Sequence, residues 1–233
     1  MLGKCYLFFA KHQILQKEIV ELLHKSIPRS NFIMRKITHN FISVLFHPAF
    51  VNLLNLFTLF FLFPQLHSGV PAKLKWFYLI FIFISTSIIP IILVFVLKIS
   101  GRIKTIMLHD REERRIPYLL TIFIYGFDYY NFTKISATPI VLNYLLACMA
   151  VLTIIFIVNY FYKISIHTAT LGSFLALLMV NYVNTGIELR PLIAITFVMI
   201  GLVSSARLFA NSHDSSQVYL GLVVGFVPMF CIL

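Results

Sequence analysis

Charged residues are scarce in this 233-residue chain, and acidic residues are the scarcest of them. Charged side chains make up 12% of the sequence, with 8 Asp and Glu against 19 Lys and Arg, whereas hydrophobic residues make up 60%. Soluble domains typically contain about 25% charged and about 45–50% apolar residues. The composition therefore excludes an ordinary soluble domain and predicts an integral membrane protein.

Cysteine is also rare, and its three copies, at positions 5, 148 and 231, form no CxxC pair. This excludes a disulfide framework and a zinc site of the usual spacing. The basic residues lie between apolar runs instead of forming a basic domain, which argues against a nucleic-acid partner. In such positions they can meet lipid phosphates or set the membrane topology.

Long apolar runs supply about six to seven candidate membrane helices, because a span needs about 20 mostly apolar residues. The candidate runs, of which the last two are the shorter ones, are 41–63, 76–97, 139–162, 164–184, 191–207, 116–132 and 217–233. No repeat or low-complexity linker separates them. We therefore predict an all-α, polytopic membrane helix bundle.

The first forty residues differ from the rest of the chain. Ile14, Ile19, Leu22 and Leu23 recur at helical spacing among Lys and Glu residues. This pattern is typical of an amphipathic helix that lies on anionic lipid. We predict an interfacial segment over 1–40 and a transmembrane domain over 41–233.

Three polar islands interrupt the apolar runs, at 104–120, 163–172 and 204–226. If the predicted helices alternate in direction across the bilayer, all three islands reach the same membrane face. Ionisable groups next to hydrocarbon are costly and usually mark a functional site. The islands therefore predict one shared site at one surface of the membrane.

The first island is rich in basic residues, with Lys104, Arg111, Arg114 and Arg115. On a helix the three arginines would share a face, since they are three and four residues apart. Their forked guanidinium groups suit a phosphate, which offers several oxygens at once. The alternative is a solvated charged loop that sets the membrane orientation.

The other two islands add histidines. Ser165 and His167 open a predicted helix, where free backbone N–H groups and a hydroxyl can bind an anionic oxygen. The alternative there is a capping serine and an interfacial histidine. In the third island Arg207 closes one helix, and Gln217 lies four residues after His213. The Gln217 side-chain oxygen can therefore hold the imidazole in one tautomer.

Together the islands combine an arginine-rich cradle, a hydroxyl and two histidines. One histidine can attack phosphorus while the other protonates the departing oxygen, as covalent phosphoryl transfer requires. No cluster of carboxylates has the character of a metal site, so arginines would neutralise the phosphate charge. The sequence predicts neither a metal nor a cofactor.

The third island also carries a family motif. Arg207, five residues, His213, three residues, Gln217 and then Val218 and Gly221 reproduce a known spacing. It resembles the Ser-Arg-x5-His-x3-Asp motif, continuing Val-x-x-Gly, of the type 2 phosphatidic acid phosphatase family. In this chain Ala replaces the serine of that motif and Gln217 replaces its Asp.

Two further motifs of that family are partly kept. The stretch "ISIH" keeps Ser165 and His167 of the family's Pro-Ser-Gly-His. Lys104 and Arg111 have the spacing of its Lys-x6-Arg-Pro but lack the following proline, whereas 115–117 has a proline one residue later. The register of the first motif therefore stays open. The resemblance runs from about residue 98 to 226.

The resemblance implies a metal-independent phosphatase that acts on a lipid phosphate or lipid diphosphate in the bilayer. His213 would be the nucleophile that forms a phosphohistidine, and His167 would be the general acid. Gln217 would orient His213 in place of the family's Asp. The phosphate would be held by basic and hydroxyl groups drawn from Arg207, Ser165, Arg111, Arg114, Arg115 and Lys104.

Two departures favour a different function. Gln217 cannot balance charge on an imidazolium as Asp does, and Ile166 stands where the family has a glycine. The alternative is a non-catalytic transporter or scaffold that keeps the phosphate-binding surface.

The family resemblance implies a bacterial inner membrane with the site outside, whereas the distribution of basic residues places the site in the cytoplasm.

Overall fold

The structure, a computed structural model, describes residues 45–106, 108, 110–210 and 212–233. All of these belong to Phe41–Leu233, the second of two units into which the chain divides. The amphipathic helix predicted over 1–40 lies outside the described residues. Within the described ranges the regular structure is helical throughout, without a strand, which confirms the all-α prediction for this part of the chain.

Eight α-helices make up the described chain. They are α1 (Pro48–Phe57), α2 (Ala72–Phe83), α3 (Ile89–Ile99), α4 (Arg115–Lys134), α5 (Pro139–Asn159), α6 (Ile166–Thr185), α7 (Arg190–Phe209) and α8 (Ser215–Ile232). A π-helical turn at Thr58–Leu62 extends α1, and another at Ile84–Ile88 joins α2 to α3. A short 3₁₀ helix at Pro64–His67 comes between the first π-helical turn and α2.

Five described helices are long and apolar enough to cross a membrane. They are the continuous run Ala72–Ile99 and the helices α5, α6, α7 and α8. The predicted run 41–63 contributes a shorter apolar helix, Pro48–Leu62. The predicted run 116–132 lies within α4, which has 20 residues but is not among the five. The length and apolar composition of these helices identify the chain as a membrane protein.

Local sequence explains several helix ends. Proline lies in the first turn of α1, α5 and α7, where its missing N–H is not needed. Gly186 ends α6 in the left-handed conformation, with φ 67°. Asp214 caps α8 by accepting the backbone N–H of Gln217. This last cap directly follows His213 in the chain.

The helix α6 lies at the centre of the packing, since 67% of its most apolar window is buried inside the protein. It packs most extensively against α8 and also contacts α7 and α1, while α5 packs against α4 and α8. A cluster of buried apolar side chains lies at the end of the bundle where α6 and α8 begin. Its buried members are Tyr118, Val151, Ile155, Ile164, Ala169 and Val224.

Candidate functional site

The starts of α6 and α8 lie side by side. The backbone N–H of Ser165 donates to the carbonyl oxygen of Gln217 at 3.2 Å. The hydroxyl of Thr168 donates to the carbonyl oxygen of Val218 at 3.0 Å. These bonds join the second and third polar islands at one end of the bundle.

Glycines on α8 permit this close approach. A Cβ on Gly221 would lie 2.5 Å from the Ser165 carbonyl oxygen, and one on Gly225 would lie 1.8 Å from that of Ala169. No side chain fits at these distances, so the two backbones touch where α8 carries glycine. Gly221 and Gly225 therefore allow the close helix packing that small residues permit.

His213 lies just before α8 and is held by Gln217. Its Nδ1 and the Gln217 Oε1 are 2.8 Å apart. Because an amide oxygen only accepts, His213 donates its Nδ1–H, which leaves the Nε2 lone pair free. The tautomer expected from the i, i+4 spacing is therefore the one that a nucleophilic Nε2 needs.

Asp214 holds Gln217 in turn, which the sequence did not indicate. Its carboxylate accepts the Gln217 backbone N–H at 2.8 Å and the Gln217 Nε2–H at 3.0 Å. Asp214 occupies the capping position of α8, and a capping side chain folds back over the first turn of its helix.

Positive charge surrounds His213. Burial is the main reason why the pKa of His213 falls to about 3, and the charges of Arg207, Arg114 and Lys163 act in the same direction. The hydrogen bond from His213 to Gln217 acts in the opposite direction. His213 is therefore neutral near pH 7, in a site with an excess of positive charge.

The same cations repel one another, which disfavours their charged forms. Burial, followed by the charges of Arg114 and Arg207, lowers the pKa of Lys163. The Lys163 Nζ donates to the Ser212 carbonyl oxygen at 3.0 Å, which ties the second island to the loop that carries His213. Like charges gathered in a partly buried place indicate an anionic ligand.

Predicted phosphate ligands are over-represented among the buried polar atoms that lack a partner. In the described part of the chain such atoms belong to six residues, and three of these are Ser165, Arg207 and Arg115. Ser165 is fully buried, and although it occupies the capping position of α6 its hydroxyl makes no capping bond. Orphaned buried donors are costly unless a ligand satisfies them.

The structure also bears on the open register of the first motif. Arg114 is 7% exposed, and its side chain donates to the carbonyl oxygens of Leu108 and Ile164 at 2.7 and 3.2 Å. Its charge acts on both His213 and Arg207. Arg114 is therefore the arginine of this island that the structure brings to His213.

The other basic residues of the island are placed differently. Arg111 is exposed and donates to the Phe161 carbonyl oxygen at 2.9 Å. The guanidinium carbon of Arg115 lies 4.6 Å from the centroid of the Tyr160 ring. The Lys104 side chain is 84% exposed and lies 3.7 Å from Asp110. Arg111 and Arg115 thus contact the loop after α5, and Lys104 faces outward.

His167 lies in the first turn of α6, two residues after Ser165. Its ring meets the ring of His47 edge to face, with the centroids 6.0 Å apart. His47 comes directly before α1 and caps that helix through its Nδ1. The structure therefore places His167 at the same end of α6 as the Ser165–Gln217 contact.

Three residues near the site were missed in the sequence. Lys163 was visible as a basic residue directly before the "ISIH" stretch, and Tyr162 precedes it. The Tyr162 hydroxyl donates to Asp214 at 3.2 Å. His47 gave no signal, because its approach to His167 depends on how α1 packs on α6.

The described residues contain no group of three or more His, Cys, Asp or Glu side chains placed to hold a metal ion. No family model matches the sequence, and no curated protein or solved structure matches it either.

Proposed function

We propose that the protein is a phosphatase for a lipid phosphate or lipid diphosphate, working through a phosphohistidine on His213 and without a metal ion. One observation carries this proposal. A neutral, buried histidine with its Nδ1–H held by Gln217 lies within the field of three cations, Arg207, Arg114 and Lys163. That combination suits a nucleophile that attacks an anion.

The reaction has two steps in this proposal. The Nε2 lone pair of His213 attacks phosphorus, the bond from phosphorus to the lipid oxygen breaks, and His167 gives that oxygen its proton. Water then attacks the phosphohistidine, His167 takes the water proton, and the bond from phosphorus to nitrogen breaks. The products are the lipid alcohol and inorganic phosphate, or a lipid monophosphate and phosphate from a diphosphate.

The phosphate oxygens would be bound by the unsatisfied donors of the site. Arg207 has a buried Nε without a partner, and the buried Ser165 hydroxyl likewise lacks one. Arg114 already donates two hydrogen bonds to carbonyl oxygens, so it adds charge and rigidity more than new bonds. Bidentate guanidinium contacts are worth more in such a partly buried place than in water.

We further infer that α4 crosses the membrane as a sixth span and that Pro48–Leu62 is a partial seventh. At 20 residues α4 is about 30 Å long, and it packs along α5. Basic residues flank it, with Arg115 at its start and Lys134 at its end. A crossing α4 places all three islands on one membrane face, and we assign the membrane to the bacterial inner membrane that the family resemblance implies.

The test is phosphate release by the purified protein in detergent with EDTA present. Phosphatidic acid and a polyprenyl diphosphate serve as alternative substrates. We expect release from at least one, and its loss in His213→Ala. Arg190→Ala is the control, because Arg190 begins α7 at the opposite end of the bundle and pairs with Glu188.

Two outcomes would contradict the proposal. Release that persists in His213→Ala would rule out a phosphohistidine intermediate on His213. No release from either lipid, with phosphate-lipid binding intact, would favour the non-catalytic alternative that Gln217 and Ile166 suggested.

A further inference from the structure

We propose that Asp214 is a positioning residue for His213, acting through the amide of Gln217, and that its carboxylate decides which ring nitrogen of His213 carries the proton. The geometry stands on its own, and the catalytic consequence rests on the proposed function. In this chain a carboxylate two hydrogen bonds away from the imidazole takes over a task that a single Asp would perform by direct contact.

A carboxylate can only accept hydrogen bonds, which constrains every group around Asp214. An ionised Asp has two acceptor oxygens and no donor. Three donors point at Asp214: the Gln217 backbone N–H at 2.8 Å, the Gln217 Nε2–H at 3.0 Å and the Tyr162 hydroxyl at 3.2 Å. The carboxylate is therefore fixed, and any group that faces it must donate.

This requirement fixes the Gln217 amide. An amide can rotate by half a turn and exchange its oxygen with its nitrogen at little cost when its surroundings are indifferent. Here they are not indifferent, because only the nitrogen can face Asp214. The oxygen must then face the Nδ1 of His213, 2.8 Å away.

The orientation of the amide fixes the tautomer in turn. An amide oxygen can pair only with a protonated Nδ1, so the proton of neutral His213 resides there and Nε2 keeps its lone pair. The reversed amide would present its N–H₂ to Nδ1 and move the proton to Nε2. A protonated Nε2 has no lone pair and cannot attack phosphorus.

Substitutions of Asp214 have to separate this role from helix capping. Asp214→Asn keeps the cap, since Asn is as good a capping residue as Asp. Its amide nitrogen would face the Gln217 nitrogen, and the clash between two donors would reverse the Gln217 amide. Asp214→Ser also keeps the cap but is too short to contact the Gln217 side chain. Tyr162→Phe is the matched control, because it removes a donor to Asp214 and leaves the carboxylate in place.

The first measurement needs no substrate. Protein with ¹⁵N-labelled histidine is examined in detergent by NMR near pH 7.5, where protonated and unprotonated ring nitrogens have distinct shifts. The chain has 8 histidines, so the signals of His213 are assigned by their loss in His213→Gln. We expect Nδ1–H in the native protein and in Tyr162→Phe. We expect a shift to Nε2–H in Asp214→Asn and a mixture in Asp214→Ser.

The second measurement is turnover. We expect Asp214→Asn to lower kcat by about 100-fold or more, since a wrong tautomer in a Ser-His-Asp site costs about 10⁴-fold, with KM little changed because the cations remain. In a Gln217→Asp background the same substitution should change kcat less than about threefold, since a carboxylate at 217 accepts the Nδ1–H directly.

The outcomes separate the two proposals. An Nδ1–H signal that survives in both Asp214→Asn and Asp214→Ser overturns the role of Asp214, whatever the activity. An equal loss of kcat in the native and Gln217→Asp backgrounds also overturns it, because that would be a purely structural effect. A tautomer shift in a protein that releases no phosphate would support the positioning role of Asp214 and would contradict the proposed phosphatase activity.

Discussion

Replacing Gly225 by Ala tests the contact on which the site depends. The new Cβ would lie 1.8 Å from the carbonyl oxygen of Ala169, whereas ordinary contact begins near 3.4 Å. The obstacle is backbone of α6 and cannot rotate away, so α6 and α8 would have to separate by more than an ångström. Overpacking of this kind typically costs about 1–3 kcal/mol, and occasionally more.

The same displacement should affect activity more than stability. Gly225 lies three turns along α8 from His213, on the helix face that contacts α6. Separating these helices moves Ser165 and His167 away from His213, and a misplacement of about 1 Å can cost about 100-fold in rate. We expect a lower melting temperature in detergent and at least a tenfold loss of phosphate release.

Gly201→Ala is the matched control for this experiment. Gly201 lies on α7, and a Cβ there would meet nothing within 4 Å. Because Ala is about 1 kcal/mol more favourable than Gly in a helix interior, its effect should be neutral or stabilising. If Gly225→Ala behaved like Gly201→Ala in both melting temperature and activity, the close contact between α6 and α8 would be wrong.

Four further substitutions or conditions test other parts of the site. Gln217→Asp should preserve or raise kcat, measured as phosphate release, and abolished turnover would contradict the orienting role. Arg114→Ala should lower kcat/KM at least 100-fold, whereas Lys104→Ala, in an exposed side chain, should change it less than threefold. Asp128→Asn should leave the melting temperature unchanged or raise it, because a neutral amide replaces a buried ionisable carboxyl group, one oxygen of which has no partner; a large fall would contradict this reasoning. The pKa of His213 is lowered from 6.5 to about 3 in the folded protein, so the stability that it contributes is present above pH 6.5 and is lost as the pH falls towards 3. In His213→Gln the melting temperature should therefore change less with pH over this range.

The sequence predicted those features of the site that depend on spacing along one helix. The pairing of His213 with Gln217 follows from a separation of four residues, which is one turn of α8. Such a relation needs only the helix itself, so it holds however the helices pack.

Features that depend on loop paths and on packing between helices could not be predicted. The sequence left the register of the first motif open between Arg111 and Arg115, and only the packing before α4 brings Arg114 to His213. His47 reaches His167 because α1 packs on α6. Asp214 turns towards Gln217 because it caps α8, which depends on where the helix begins. Helix boundaries are uncertain by one or two residues from sequence alone.

The presence of Gln217 in place of a carboxylate is consistent with the charge of the site. A carboxylate in contact with His213 would stabilise an imidazolium, but it would also offset the positive field of Arg207, Arg114 and Lys163 that a phosphate needs. With an amide between them, the carboxylate of Asp214 lies one hydrogen bond further from the site and is already satisfied by other donors. The tautomer is kept while the attraction for the anion is preserved. Gln217→Asp should therefore weaken substrate binding even where it raises kcat, so that KM rises with kcat instead of falling.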